Sequence, residues 1–351
     1  MSEIIALTAD ALDLPLAEPF EISLGTQHEA SNVLVTVETA AGVTGYGEGS
    51  PLPPVTGETQ AVTLKAAQAM AELVEGRFTD DYRLIIQEIH QTFPNTPSAK
   101  FAVETAILDA YCREQDISLA ELFGSRPRSV ETDMTIPILS QAEAATRAQQ
   151  ATEADYNHLK IKTGNDVRED IERVVAIREV APDASLKVDA NQGWTPKETA
   201  WFADRVADRG IHLDLIEQPV QATDVAGLAD ARGRVAVPIA ADETVFTPQD
   251  AIRVVTENAA DIINVKLGKS GPLATADIVA IAQGADLDLM IGCMLESAIG
   301  IHTSAHIVAG TGAFSYVDLD GNRLLADDVI QMSDGPIHDI AGPGHGVTPE
   351  L

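Results

Sequence analysis

The spacing of hydrophobic and polar positions changes character along the chain. Up to residue 50 it alternates, partly over residues 4–12, strongly over 32–38 and again over 42–48 after a turn, which predicts a β-meander. Residues 18–30, with Gly25 among them, and 51–58, with three prolines, read as loops. From Thr59 the period becomes helical and predicts helices near 60–74, 80–92 and 98–114. In the last of these Ala102, Ala106 and Ala110 recur every four residues, a small-residue face suited to close packing.

After Arg126 and Pro127 short apolar strands alternate with helical stretches. Strands are expected at 130–137, 157–162, 186–189, 213–217, 236–242, 261–266, 287–293 and 313–320. Helices are expected at 140–154, 167–180 (with Asp166 as N-cap), 196–208, 223–231, 247–257, 272–283 and 297–309. Eight strands alternating with seven helices imply a parallel sheet closed into a barrel. An open doubly wound sheet is the alternative, but the units are evenly spaced and no glycine fingerprint follows the first strand.

The strand ends carry the candidate chemistry. Lys160 and Lys162 point to the same side of one strand, and the following strands end in Asp189, Glu217, Asp242 and Lys266. Successive gaps from Lys162 are 27, 28, 25 and 24 residues, one strand-helix unit each. In a barrel those ends form one mouth, so three carboxylates would converge between two lysines. Such carboxylates repel one another unless a cation sits among them, and oxygen ligands alone favour Mg²⁺, with Mn²⁺ as the alternative. A cation there would bind a substrate carboxylate, while one lysine removes the α-proton and the other returns it from the opposite face. The cation should also depress the lysine pKa values.

Composition narrows the partners. Fifty-four acidic residues against 23 basic ones give a formal net charge of −31, which argues against nucleic acid and anionic membrane as partners. No stretch is apolar enough to span a bilayer, and the chain opens without a secretory leader pattern. Cys112 and Cys293 are the only cysteines, so a cytoplasmic protein without a disulfide framework is expected.

Taken together, Lys160-Ile161-Lys162, Asp189-Ala190-Asn191, Glu217-Gln218-Pro219, Asp242-Glu243 and Lys266-Leu267-Gly268-Lys269 resemble the motifs of the enolase superfamily, in its muconate-lactonizing-enzyme-like subgroup. The resemblance implies a modified (β/α)₇β TIM-type barrel over 126–325, preceded by an α+β capping domain over 1–125 and followed by a segment, 326–351, that returns to the cap. It makes Lys162 and Lys266 catalytic, Lys160 auxiliary, and Asp189, Glu217 and Asp242 the metal ligands. Asn191, Glu243 and Lys269 would support them.

Asp318-Leu319-Asp320 resembles the pair that holds the α-ammonium group in dipeptide epimerases, and Thr135, Met294 and Ile299 would line the same pocket. The implied activity is Mg²⁺-dependent epimerisation at the C-terminal residue of a small dipeptide. The expected partner is that substrate, and a homo-oligomer is compatible with the sequence. One departure stands out: relatives acting on Ala-Glu bring an Arg from the first cap loop, whereas residues 20–28 contain no Lys or Arg and offer only His28. A preference for Glu is therefore in question, and an apolar or basic second residue would avoid the need for that cation. N-acylamino acid racemase, o-succinylbenzoate synthase and muconate cycloisomerase are sister readings that would keep the lysines and ligands but have little use for Asp318 and Asp320. A barrel retained without enzymatic activity is the remaining, non-catalytic alternative.

Overall fold

In a computed structural model, which describes residues 1–23, 25–331 and 335–350, the cap begins with a three-stranded antiparallel sheet. It is built from β1 (Ile4–Ile22), β2 (Gly25–Thr39) and β3 (Thr44–Gly49). Segment 18–30, expected as a loop, is instead the far end of the β1–β2 hairpin, which stays paired out to Ile22 opposite Gly25. Leu12, Leu14 and Leu16 alternate inward, Glu18 and Pro19 interrupt the pattern, and a register shift between Pro15 and Phe20 restores it for Phe20 and Ile22. Leu24, in the same segment, lies outside the described residues. Within 51–58 the chain makes a short helical turn, Pro53–Thr56.

Helices Gln60–Val74, Tyr82–Thr92 and Pro97–Glu114 cover one face of the sheet. The alanine row of the last packs on a glycine row in β3. A Cβ built on Gly45 or Gly47 would collide with the carbonyl oxygen of Ala106 or Ala102, and one on Gly49 would come within 2.7 Å of Ser98 O. Two residues of strand span about 6.8 Å and four of helix about 6 Å, so the two rows stay in step over three contacts.

The predicted strand at 130–137 is two elements. Val130–Glu131 (β4) pairs antiparallel with Ile337–His338 (β13), and Met134–Ile136 (β5) opens the barrel. Then follow β6 (His158–Lys162), β7 (Ser185–Asp189), β8 (Leu215–Glu217), β9 (Ile239–Ala241), β10 (Ile262–Lys266), β11 (Asp288–Gly292) and β12 (Tyr316–Asp318). All eight lie parallel in sequential order. Capping boxes at Ser140, Thr195 and Thr247 start three of the outer helices, and Asp166 caps a fourth.

The seam between β5 and β12 is closed by bonds outside the regular ladders. Leu319 N–H donates to Thr132 Oγ1 (2.7 Å), Asp133 N–H to Val317 O (3.3 Å), and Thr135 N–H to Asp320 Oδ2 (2.6 Å).

The cap is seated on the barrel in two ways. Leu12, Leu14, Phe20 and Ile22 of the hairpin pack with Leu295, Ala298 and Ile299. Beside them the buried Glu48 of β3 accepts from Ser297 Oγ (2.6 Å), Asn32 Nδ2 (2.7 Å) and Gly300 N–H (3.1 Å), capping the helix Ala298–Thr311. Near the C-terminus, His345 N–H donates to Asp109 Oδ1 (2.9 Å) and Val347 O accepts from Arg113 (2.6 Å), both on the cap helix Pro97–Glu114. Among the described residues no helix is long and apolar enough to cross a membrane.

The interlocked rows give a stability test. Gly47→Ala should cost about 1–3 kcal/mol or more by overpacking and lower Tm by several degrees. Gly233→Ala, in a helix with open space around it, should be neutral or slightly stabilising, and thermal melts of both variants check the contrast.

Candidate active site

Register alone carries the strand-end residues to one place. Lys162 pairs in the ladder with Asp189, and Asp189 with Glu217. Asp242 follows β9 by one residue and Lys266 ends β10. Lys162 Nζ lies 2.6 Å from Asp189 Oδ2 and 3.1 Å from Asn191 Oδ1. Lys266 Nζ lies 2.6 Å from Asp242 Oδ2. Lys269 donates to Asp242 Oδ1 (2.6 Å) and also to its backbone carbonyl. Lys160 sits in the middle, 2.5 Å from Asp318 Oδ2, 2.8 Å from Glu217 Oε2 and 3.2 Å from Asp189 Oδ2. Asn191 N–H donates to Asp189 Oδ1 (2.9 Å), and its amide donates to Glu243 Oε1 (3.2 Å).

The anionic end of the pocket is built on the barrel seam. Thr135 donates through its backbone N–H to Asp320 Oδ2 and through Oγ1 to Asp320 Oδ1 (3.2 Å), with Asp318 Oδ1 at 3.4 Å. Thr135, Met294, Asp318 and Asp320 all line the pocket. Ile299 does not; it is buried in the apolar cluster under the hairpin, because Ser297 starts a helix there, and Leu295 lines the pocket instead.

A deeper layer went unread in the sequence. Asp133, Lys187 and Asn264 lie two residues before Thr135, Asp189 and Lys266, as Lys160 does before Lys162. Strand alternation was the signal that could have found them. Asp133 pairs with Lys187 and reaches within 4.8 Å of Asp318 and Asp320, and Asn264 Nδ2 donates to Glu217 Oε1 (2.7 Å).

These contacts set the charges. Burial pushes Lys160 down, but Asp318, Glu217 and Asp189 outweigh it and hold the ammonium well above its ordinary value. Burial is likewise outweighed at Lys266, chiefly by Asp242, so the expected depression of the lysine pKa is not a property of the protein's own groups there. Burial raises Asp242 and Asp189, yet their lysines win and hold both low. Glu217 goes the other way: burial and the neighbouring Asp189 push it up to about 8, and burial with Asp242 pushes Glu243 up to about 7.

Asp189, Glu217 and Asp242 offer carboxylate oxygens within 4.8 Å of one another, all buried. Glu217 Oε2 is paired with Lys160 Nζ at 2.8 Å, and its Oε1 accepts from Asn264. Counted as ionised, the buried cluster holds Asp133, Asp189, Glu217, Asp242, Glu243, Asp318 and Asp320 against Lys160, Lys162, Lys187, Lys266 and Lys269. That excess of two negative charges, with three hard carboxylate ligands within 4.8 Å of one another, fits one divalent cation.

Two lysines on strands four places apart in a parallel barrel, with three carboxylates between them beneath an α+β cap, define an enzyme of the enolase superfamily with an isomerase-type site. The chain belongs to the mandelate racemase/muconate lactonizing enzyme family: residues 5–124 match the N-terminal domain of that family, and residues 143–350 match the enolase C-terminal domain-like model. It is 38% identical over 339 residues to the L-Ala-D/L-Glu epimerase of Thermotoga maritima, covering 96% of this chain and 98% of that one. A hydrophobic dipeptide epimerase of Citrifermentans bemidjiense is 35% identical over 357 residues, covering 98% and 97%. The structure of a dipeptide epimerase from Enterococcus faecalis, complexed with Mg and the dipeptide L-Leu-L-Tyr, superposes with a TM-score of 0.94 at 33% identity, covering 98% and 99%.

Asp320 gives this site a pH signature. Burial and the adjacent Asp318 raise its carboxyl to about 6 against the pull of Thr135. A raised carboxyl gains its proton as pH falls through that value, so its attraction for a cationic ligand is present above about 6 and lost below. The affinity for a primary ammonium ligand should fall between pH 7 and 5 in the wild type. It should be weaker throughout and fall less over that range in Asp320→Asn, where Glu243 still gains its proton, and calorimetric titration checks both.

Proposed function

We propose that this protein is a divalent-metal-dependent dipeptide epimerase that inverts the α-carbon of the C-terminal residue. The observation that carries the reading is the Asp318–Asp320 pair at one end of the pocket, held by Thr135 and linked to the carboxylate triad through Lys160. Two buried carboxylates at that end suit an α-ammonium group and leave an acylated amine without its charge. A sister activity on N-acylamino acids would leave Lys160 as the counter-ion of Asp318 and bring none to Asp320, which accepts from Thr135.

Asp189, Glu217 and Asp242 would hold Mg²⁺, with Mn²⁺ as the alternative; the cation would supply positive charge to the substrate carboxylate and so make the α-proton removable. Lys162 and Lys266 then divide the proton between them. One takes it from its face of the α-carbon, and the other delivers a proton to the opposite face. Each needs a neutral amine at the moment of abstraction. The Asp189 and Asp242 contacts fix where each Nζ stands, while Lys160 and Lys269 counter the charge of those same carboxylates. The proposed partner is the dipeptide alone, and the cytoplasm suits both the free thiols and a peptide substrate.

The test is α-proton exchange in D₂O followed by NMR, with Mg²⁺ and either epimer of a dipeptide. Lys162→Ala and Lys266→Ala should each lose epimerisation in both directions by about 10²–10⁴-fold. Each should still exchange the α-proton of one epimer, a different epimer for each variant. Epimerisation at the wild-type rate in either variant contradicts the two-base reading, as does faster turnover of N-acetylated than of free dipeptides.

A further inference from the structure

Resting on the epimerase reading, three of the four groups on the reacting carbon have assigned directions. The carboxylate goes to the Asp189, Glu217 and Asp242 corner, the amide nitrogen leads toward Asp318 and Asp320, and the hydrogen faces Lys162 or Lys266. Those lysines stand on β6 and β10, half the barrel apart. Beneath them the barrel is filled by the layer of Lys160, Lys187 and Asn264, all buried. The side chain of the reacting residue has one direction left, upward against the cap.

The cap surface in that direction is apolar. Phe20 and Ile22 come from the end of β1, Leu52 and Val55 from the segment after β3, and Leu295 and Leu324 of the barrel continue the wall. Among the described residues, the one polar cap side chain in the lining is Gln27, and no lysine, arginine or carboxylate of the cap is part of it. His28 is exposed and lies outside the lining. The barrel's cations in the pocket are already matched, Lys162 by Asp189, Lys266 by Asp242 and Lys160 by three carboxylates. Arg147 and Arg323 line an adjoining cavity beyond Phe20, Thr135 and Leu324, where Arg147 pairs with Glu18.

We propose that the substrates are dipeptides whose second residue carries an apolar, uncharged side chain, seated on Phe20, Ile22, Leu52 and Val55. A carboxylate brought to this wall is desolvated without a cation, and an ammonium is desolvated without an anion. Apolar contact also suits the reaction itself. With carboxylate and nitrogen fixed, inversion at the α-carbon moves the side chain, and dispersion contacts tolerate a shift that a directional charge clamp does not. The specificity-determining residues are therefore those of the cap, with Gln27 at the polar rim.

The experiment compares kcat/KM for L-Ala-L-Leu, L-Ala-L-Phe, L-Ala-L-Glu and L-Ala-L-Lys with Mg²⁺. The Leu and Phe dipeptides should exceed the Glu and Lys dipeptides at least tenfold. Gln27→Arg, at a partly exposed position, should raise the Glu-to-Leu ratio at least tenfold, and Val55→Arg should do the same from the other wall if the first variant does not fold. The assignment is overturned if L-Ala-L-Glu or L-Ala-L-Lys matches L-Ala-L-Leu in the wild type, or if the ratio does not move in folded variants. If no dipeptide is turned over while N-acetyl-L-Leu is racemised, it is the epimerase reading that fails, and the two failures are thereby distinguished.

Discussion

Seven carboxylates and five lysines are buried together at the mouth of this barrel and in the layer beneath it, and the rest of the structure serves to keep that cluster dry and in register. Lys160 is held charged by acids that outweigh its burial, and Asp189 and Asp242 are held ionised by lysines that outweigh theirs. Buried pairs of this kind add little net stability, since desolvation costs about as much as the attraction returns. Their value lies in fixed geometry and in a leftover charge. The acid excess bears hardest on Glu217, the carboxylate pushed highest among the three that converge, and a divalent cation would relieve it there.

Closure of the barrel uses the same atoms that the proposed recognition of an ammonium group would use. Regular pairing stops on either side of the seam between β5 and β12, and Thr135 spends its backbone donor on Asp320. The two acids are thus positioned by the fold before any ligand arrives, the preorganisation that a desolvated ion pair requires. At the other side of the mouth the cap is locked down through Glu48 at a helix N-terminus and through the hairpin's leucines, which places Phe20 and Ile22 over the reacting centre.

Much of this was legible in the sequence because a parallel barrel turns sequence period into position. Lys162, Asp189, Glu217, Asp242 and Lys266 each end a strand, so even spacing was enough to bring them together. The layer below was legible by the same alternation but needed residues two steps earlier, which is why Asp133, Lys187 and Asn264 were missed. The hairpin at 18–30 was hidden by Glu18 and Pro19, whose disruption the register shift absorbs. The placement of Ile299 depended on where the helix after β11 begins and turns, and no residue type signals that Leu295 rather than Ile299 meets the pocket. The apolar wall was half legible: the lack of Lys or Arg over residues 20–28 was visible in the sequence, but which cap residues meet the barrel pocket was not.

The central claim is that the buried acid excess at Asp189, Glu217 and Asp242 is the seat of one divalent cation. Isothermal titration of Mg²⁺ into the wild type and into Glu217→Gln, at matched ionic strength, tests it most directly. The chain carries a formal net charge of −31, so weak diffuse binding will occur in both and cancels in the comparison. The account predicts one tight Mg²⁺ per chain in the wild type, with a rise in Tm of the size that ligand binding to the folded state demands, and loss of both in the variant. Identical isotherms and identical melting curves would contradict it.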